Sequence, residues 1–251
     1  MIRGVIFDLG STLIRFEDNW PEVLEESSHV LARQLERDGY HLDGKSFTEA
    51  FIQAIQDSYQ VRERDWVERP TSSILRKVLS RFGHREVTDE SIERAVFQFY
   101  NVSESRWVPM EGVYEVLNEL RAKGLFLGLI SNAGDEGNVQ RLIDNAQLRP
   151  YFEPILISAA MGIRKPNPKL FEIVLENWDL PAHQVVMVGD NLEADILGAQ
   201  NAGVHQIWLT AQADTPSNRA HASVIVPEAS AKSITEVPDL LPQLTTSSPG
   251  G

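Results

Sequence analysis

The chain has 251 residues, 42% of them hydrophobic, enough for one large domain or two unequal ones with a substantial core. Thirty-six acidic against 23 basic residues give a formal charge of -13, which repels a nucleic-acid backbone or an anionic lipid surface; neither is expected as a partner, although a local basic pocket still admits a small anion. The chain has no cysteine, which excludes a disulfide framework and a thiolate metal site, and no apolar run approaches the roughly 18 residues of a membrane helix, so a soluble, untargeted, cytoplasmic protein is expected.

In chain order, the first apolar run is Val5-Ile6-Phe7, which stops at Asp8. Residues 16–106 then show helical periodicity (Val23, Leu24, Val30, Leu31, Leu35; Phe51, Ile52, Ile55; Ile74, Leu75, Val78, Leu79) and no buried strand. Further short runs follow at Leu125 to Ile130, Ile155-Leu156-Ile157, Val185 to Val188, Ile207-Trp208-Leu209 and Val224-Ile225-Val226. Their near-continuous hydrophobicity predicts parallel strands buried on both faces. Helices are predicted between them at Gly112 to Lys123, Asn138 to Gln147, Lys169 to Trp178, and from Asp190 to the turn at Ala202-Gly203. The expectation is an α/β fold: a parallel sheet core from residues 1–15 and 107–244, and an all-helical cap inserted over 16–106. Its exits fall near Arg15-Phe16 and Trp107-Val108-Pro109 and would permit hinge motion. Residues 245–251 read as a disordered tail.

Ligands of open parallel sheets bind beyond the carboxyl ends of the strands. Those positions here hold Asp8-Leu9-Gly10-Ser11-Thr12, Ser131-Asn132, Arg164-Lys165-Pro166-Asn167-Pro168, and Gly189-Asp190-Asn191 with Asp195 beyond. An isolated Asp or Ser at a strand end is more often a cap or turn residue, and a lone lysine more often a surface group; their co-occurrence in this order favours a site. The six histidines, at 29, 41, 84, 183, 205 and 221, lack metal-ligand spacing and read as structural or exposed. Glu17, Asp18, Glu63 and Glu68 read as solvated helix faces, while Arg15, Trp20, Arg64, Trp66 and Arg69 are candidates to touch substrate.

Together these segments resemble the four motifs of the haloacid dehalogenase-like superfamily, most of whose members are phosphatases, and the likeness spans nearly the whole chain. It implies a Rossmann-like core and a helical cap between the first and second motifs. It also implies an aspartyl-phosphate mechanism with Asp8 as nucleophile and Ser131 and Lys165 on the phosphoryl group. Mg2+ would be held by Asp8, the Gly10 carbonyl and Asp190, with Asn191 and Asp195 behind them and Leu9, Gly10, Ser131, Asn132 and Lys165 lining the substrate site. The implied partner is a small phosphorylated metabolite, and the implied state a monomer or homodimer.

One position departs from the family pattern. Where most such phosphatases carry a second aspartate, two residues after the nucleophile, this chain has Gly10, which removes the usual general acid–base. The expected reaction is therefore a magnesium-dependent phosphatase for leaving groups that need little protonation, such as a sugar 1-phosphate, an acyl phosphate or an aryl phosphate. Two other readings follow from the same gap: a 2-haloacid dehalogenase, and a weakly catalytic module that binds a phosphorylated ligand.

Overall fold

The computed structural model describes residues 1–244; the side chains of Gln60 and Glu63 lie outside the described set, as does the 245–251 tail read as disordered. Six parallel strands form the main sheet, in the order β5-β4-β1-β6-β7-β8: β1 (Gly4–Phe7), β4 (Phe126–Ser131), β5 (Ile155–Ile157), β6 (Val185–Gly189), β7 (His205–Leu209) and β8 (Ala229–Ala231). β1 lies in the middle, paired on one side with β4 and on the other with β6. The chain order reverses there, so the carboxyl ends of these three strands open onto one crevice.

Side chains alternate across each strand, which explains why the runs are apolar throughout. Val5 and Phe7 join Leu127, Leu129, Val186 and Val188 in one core, against α5 (Val113–Ala122) and α6 (Glu136–Asn145). Ile6 points the other way, into a second core with Ile130, Met187, Phe171 and Trp178. The latter two belong to α8 (Lys169–Trp178); the four-residue α7 (Ser158–Met161) follows β5.

Four helices occupy the long insertion: α1 (Trp20–Arg37), α2 (Gly44–Asp65), α3 (Thr71–Arg81) and α4 (Asp89–Glu104). They share an apolar cluster of their own, including Leu31, Leu35, Phe47, Phe51, Leu75, Leu79 and Phe99. None of the described helices is long and apolar enough to cross a membrane.

Two strand expectations need correction. The two exits of the insertion are themselves paired, as an antiparallel ribbon of β2 (Ile14–Phe16) and β3 (Trp107–Pro109). Three residues per strand are too few to show an alternating pattern. The last strand of the sheet is Ala229–Ala231, not Val224-Ile225-Val226. Val224 and Val226 are 77% and 71% exposed, and Ile225 alone is buried, against Leu192 and Ile196. An Ala-Ser-Ala strand on the sheet edge carries almost no β-propensity signal.

Candidate active site

Asp8 is the first residue after β1, and its backbone N–H donates to the Val188 carbonyl at 3.0 Å, tying it to the end of β6. The carbonyl of Leu9 collects the amides of Leu13 and Ile14 (2.8 and 3.0 Å), folding the turn that follows Asp8 back on itself. Ser131 closes β4 one strand away, and Gly189-Asp190 closes β6 on the other side. Asp8, Leu9, Gly10, Ser131, Asn132, Lys165, Asp190, Asn191 and Asp195, all singled out in the sequence, line one cleft of about 350 Å³.

Lys165 organises the cleft. Its Nζ donates to Asp8 Oδ1 at 2.7 Å and to the Ile130 carbonyl at 2.7 Å, and pairs with Asp195 Oδ1 at 2.6 Å. It is 1% exposed. Burial opposes its charge, but the two carboxylates outweigh burial and raise its pKa, so it is held as an ammonium. Asp195 lies in the π-helical turn Leu192–Leu197, which runs into α9 (Gly198–Asn201). Its Oδ2 accepts from the Asn191 amide at 3.0 Å, and a Cβ on Gly189 would sit 2.2 Å from that oxygen. Glycine at 189 is what lets Asp195 approach the strand end.

The carboxylate oxygens of Asp8, Asp190 and Asp195 lie within 4.8 Å of one another. No histidine belongs to this cluster. Burial first, and then repulsion from Asp195 against the pull of Lys165, moves Asp8 up to about 6; burial and the charges of Asp8 and Asp195 move Asp190 up to about 8. Three carboxylates in mutual reach of a single ammonium form a donor set of hard oxygens with negative charge to spare, and that chemistry fits a divalent cation such as Mg2+.

These shifts predict how the metal-free protein responds to pH. Between the ordinary carboxylate value near 4 and the raised values, the folded state holds protons that the unfolded chain has released, so stability falls as pH rises through that window. Thermal melts in chelator should show a Tm that drops from pH 5 to pH 8. Asp190→Asn should remove much of the drop and raise Tm at pH 8 by roughly 2–8 °C. A wild-type Tm that rises over the same range would contradict the charge crowding.

The two asparagines act on the protein itself. Asn132 Oδ1 accepts from the Lys165 amide and its Nδ2 donates to the Lys165 carbonyl, both at 2.9 Å, so its side chain clamps the lysine's peptide while lining the cleft. Asn191 Oδ1 accepts from the Ala194 amide at 2.8 Å, capping the turn that carries Asp195. Sequence reasoning missed Asn218, 3% exposed in α10 (Pro216–His221). Its Nδ2 donates to the Asp190 carbonyl at 2.8 Å, as does Trp208 Nε1, and its Oδ1 accepts from the Leu192 amide at 2.8 Å. Nothing in the surrounding sequence marks such a brace, because the contact is made across 28 residues.

Glu68 corrects another expectation. Expected on a solvated face, it is 4% exposed. It pairs with Arg62 Nη1 at 2.9 Å and with Arg164 Nη1 at 3.5 Å, and accepts from Ser158 Oγ at 2.6 Å. Ser158 Oγ in turn accepts from the Ala133 amide at 2.8 Å. One carboxylate of the helical insertion thus reaches the loop after β4 and the residue preceding Lys165. Backbone bonds flank it: Glu68 N to Gly162 O (3.1 Å), Arg164 N to Trp66 O (3.0 Å) and Thr71 N to Gly134 O (2.8 Å). Glu68→Ala would leave Arg62 buried without its partner, so a loss of about 3–5 kcal/mol is expected in urea unfolding. A loss below about 1 kcal/mol, the size of an exposed pair, would show that this junction is solvated. Of the other candidate contact residues, Trp20 lines the space next to the cleft, Arg15 pairs with Glu17, Arg69 with Asp65, Arg64 is exposed, and Trp66 ends α2.

Residues 2–203 match the model of a haloacid dehalogenase-like hydrolase. The chain belongs to that hydrolase family. Among curated relatives it is similar to the pyrimidine 5'-nucleotidase YjjG of Escherichia coli K12, 35% identical over 57% of this chain and 61% of that one. It is also similar to glyceraldehyde 3-phosphate phosphatases of Pyrococcus abyssi (30%; 47% and 49%) and Methanocaldococcus jannaschii (24%; 81% and 83%). The alignments with the first two span about half to three-fifths of those relatives. Among solved structures, a 2-haloacid dehalogenase from Pseudomonas syringae pv. Tomato DC3000 superposes with TM-score 0.66 at 25% identity, covering 97% of this chain and 99% of that one. A HAD phosphatase from Thermococcus onnurineus superposes at 0.63 with 20% identity (96% and 98%). The family hydrolase fold accounts for the order of the strands and for the convergence of Asp8, Ser131, Lys165 and Asp190.

Proposed function

We propose that this protein is a magnesium-dependent phosphatase that uses Asp8 to attack the phosphate of a small metabolite. The observation that carries the reading is the arrangement around Asp8: a carboxylate held by a buried ammonium, with Asp190 and Asp195 within 4.8 Å. A phosphate dianion repels a carboxylate nucleophile; Asp8, Asp190 and the Gly10 carbonyl would hold Mg2+, which would supply positive charge to offset that repulsion.

The chain's own groups do the rest. Lys165 keeps one Asp8 oxygen fixed and faces the phosphoryl group with positive charge. The Ser131 hydroxyl donates to a phosphoryl oxygen. An Asp8 oxygen forms a bond to phosphorus as the ester bond breaks, and water then cleaves the aspartyl phosphate. The helices over residues 16–106 serve as a cap on a core of 1–15 and 107–244, excluding bulk water while this happens.

The structural relative whose printed name is a 2-haloacid dehalogenase, together with Gly10, supports a second reading in which Asp8 displaces halide from a haloacid. Asp190 and Asp195 weigh against it, since carboxylates beside the nucleophile repel the substrate's own carboxylate and serve no need in halide displacement. The curated relatives named above act, by their printed names, on phosphate esters. Phosphate release from p-nitrophenyl phosphate in Mg2+ and in chelator separates the readings: turnover should disappear with the metal. Chloride release from 2-chloropropionate in chelator, with no phosphate release in either condition, would replace the phosphatase by the dehalogenase.

A further inference from the structure

A second chamber of about 250 Å³ adjoins the cleft and shares Trp107, Asn132, Ala133, Asn138 and Arg164 with it. Its walls come from the helical insertion as well as the core, and they are aromatic: Trp20, Tyr59, Phe99, Tyr100 and Trp107. Trp107 stands where the two spaces meet, its ring 3.7 Å from where a Cβ on Gly10 would be. That distance is ordinary van der Waals contact, so a Cβ at position 10 would fit against the ring.

Several polar groups on these walls already have partners within the protein. Ser58 Oγ donates to the Ile55 carbonyl at 2.6 Å, Ser103 Oγ to the Tyr100 carbonyl at 3.0 Å, and the Thr71 and Tyr100 hydroxyls bond to each other at 2.7 Å. Asn138 Nδ2 donates to Glu104 at 3.1 Å, and the Asn132 side chain bonds to the Lys165 backbone through both its oxygen and its nitrogen. A sugar would bring several hydroxyls, each a donor and an acceptor, and each one left without a partner on these largely aromatic walls would weaken binding. A planar ring needs no such partners and gains from edge and face contacts with the walls. Arg62, a buried residue of the wall, pairs with Glu68 through Nη1, and its Nε has no hydrogen-bond acceptor among the described residues.

Resting on the phosphatase reading, we propose that the substrate is an aryl phosphate: the phosphate ester of a phenolic ring, with the ring in the aromatic chamber and a single acceptor substituent within reach of Arg62. Two independent features converge on this class. Gly10 provides no proton for the departing oxygen, and a phenolate, with a parent pKa of about 10, leaves without one far more readily than an alkoxide. The chamber selects the same group by shape and polarity. Asp8 bonds to phosphorus, the phosphorus–oxygen bond to the ring breaks, and its electron pair departs on the phenolate oxygen, which takes its proton from water.

The experiment compares kcat/KM for 2-naphthyl phosphate, acetyl phosphate and glucose 1-phosphate with wild type, Tyr59→Ala and Tyr59→Phe in Mg2+. Acetyl phosphate has a good leaving group and no ring, and therefore isolates what the chamber contributes. Naphthyl phosphate should exceed both others by at least tenfold in wild type. Tyr59→Ala should reduce the naphthyl-to-acetyl ratio about tenfold through KM, and Tyr59→Phe should restore it. Glucose 1-phosphate or acetyl phosphate as the preferred substrate, or an unchanged ratio in Tyr59→Ala, would overturn the aryl class and leave the phosphatase reading in place. Phosphate release from none of the three would overturn both.

Discussion

Asp8→Asn should reduce phosphate release from p-nitrophenyl phosphate by on the order of 10⁴-fold or more, the scale seen when a nucleophile acting in concert with its neighbours is removed. Asparagine matches aspartate in shape and can still accept from Lys165 Nζ, so the contact at 2.7 Å should survive. What it lacks is the anionic oxygen that, in the proposed mechanism, bonds to phosphorus. The substitution also withdraws one charge from a crowded cluster, so Tm at pH 8 should hold or rise, and loss of activity will not be mistaken for loss of fold. A variant retaining more than about a hundredth of wild-type kcat would remove Asp8 from the nucleophile's role.

Lys165→Met should be damaging in a different way. The ammonium serves Asp8, Asp195 and the Ile130 carbonyl at 2.6 to 2.7 Å in a place 1% exposed to solvent. Methionine fills much of the volume but leaves neighbouring carboxylates facing each other without a cation, a defect on the scale of about 3–5 kcal/mol. Because those carboxylates can protonate, the deficit should be greatest at pH 8 and shrink near pH 5. Activity at neutral pH should fall by about 10²-fold or more, through the lost phosphoryl contact and the freed nucleophile. Lys165→Arg should not restore it, since a planar guanidinium cannot occupy a point enclosed by three oxygen acceptors. Equal urea midpoints for Lys165→Met and wild type at pH 8 would show that the cluster does not depend on this charge.

What the sequence made legible was whatever leaves a local mark. Val5-Ile6-Phe7 and Val185 to Val188 are apolar at every position because both faces of β1 and β6 are covered, and the cleft residues Asp8 and Asp190 come within two positions of where each run ends. Strand ends thus announced Asp8, Ser131 and Asp190 together. Lys165 was found by its neighbours in the chain, although its burial and its double pairing with Asp8 and Asp195 leave no local pattern. The failures share one cause. Glu68 reads as a surface acid because its partners Ser158 and Arg164 are 90 and 96 positions away. Ala229–Ala231 is a strand because β7 offers it an edge, and the valines at 224 and 226, with the stronger propensity, have no strand to pair with. Pairing partners and desolvation belong to the folded chain and are invisible to a window of ten residues.

The bridge between Val67 and Ile163, with the Arg164 amide bonded to the Trp66 carbonyl, places a rung of β-structure immediately before Lys165. Lifting the helical layer to admit a molecule would break that rung and withdraw Glu68 from Arg164. The segment carrying the lysine would therefore be least constrained while the door is open, and most rigid once it shuts. Entry and reaction would then occupy separate intervals of each cycle, and phosphorylated molecules that merely visit the open cleft would leave unchanged. The exchange rate of the Glu68, Thr71 and Arg164 amides with deuterated solvent would time those intervals directly.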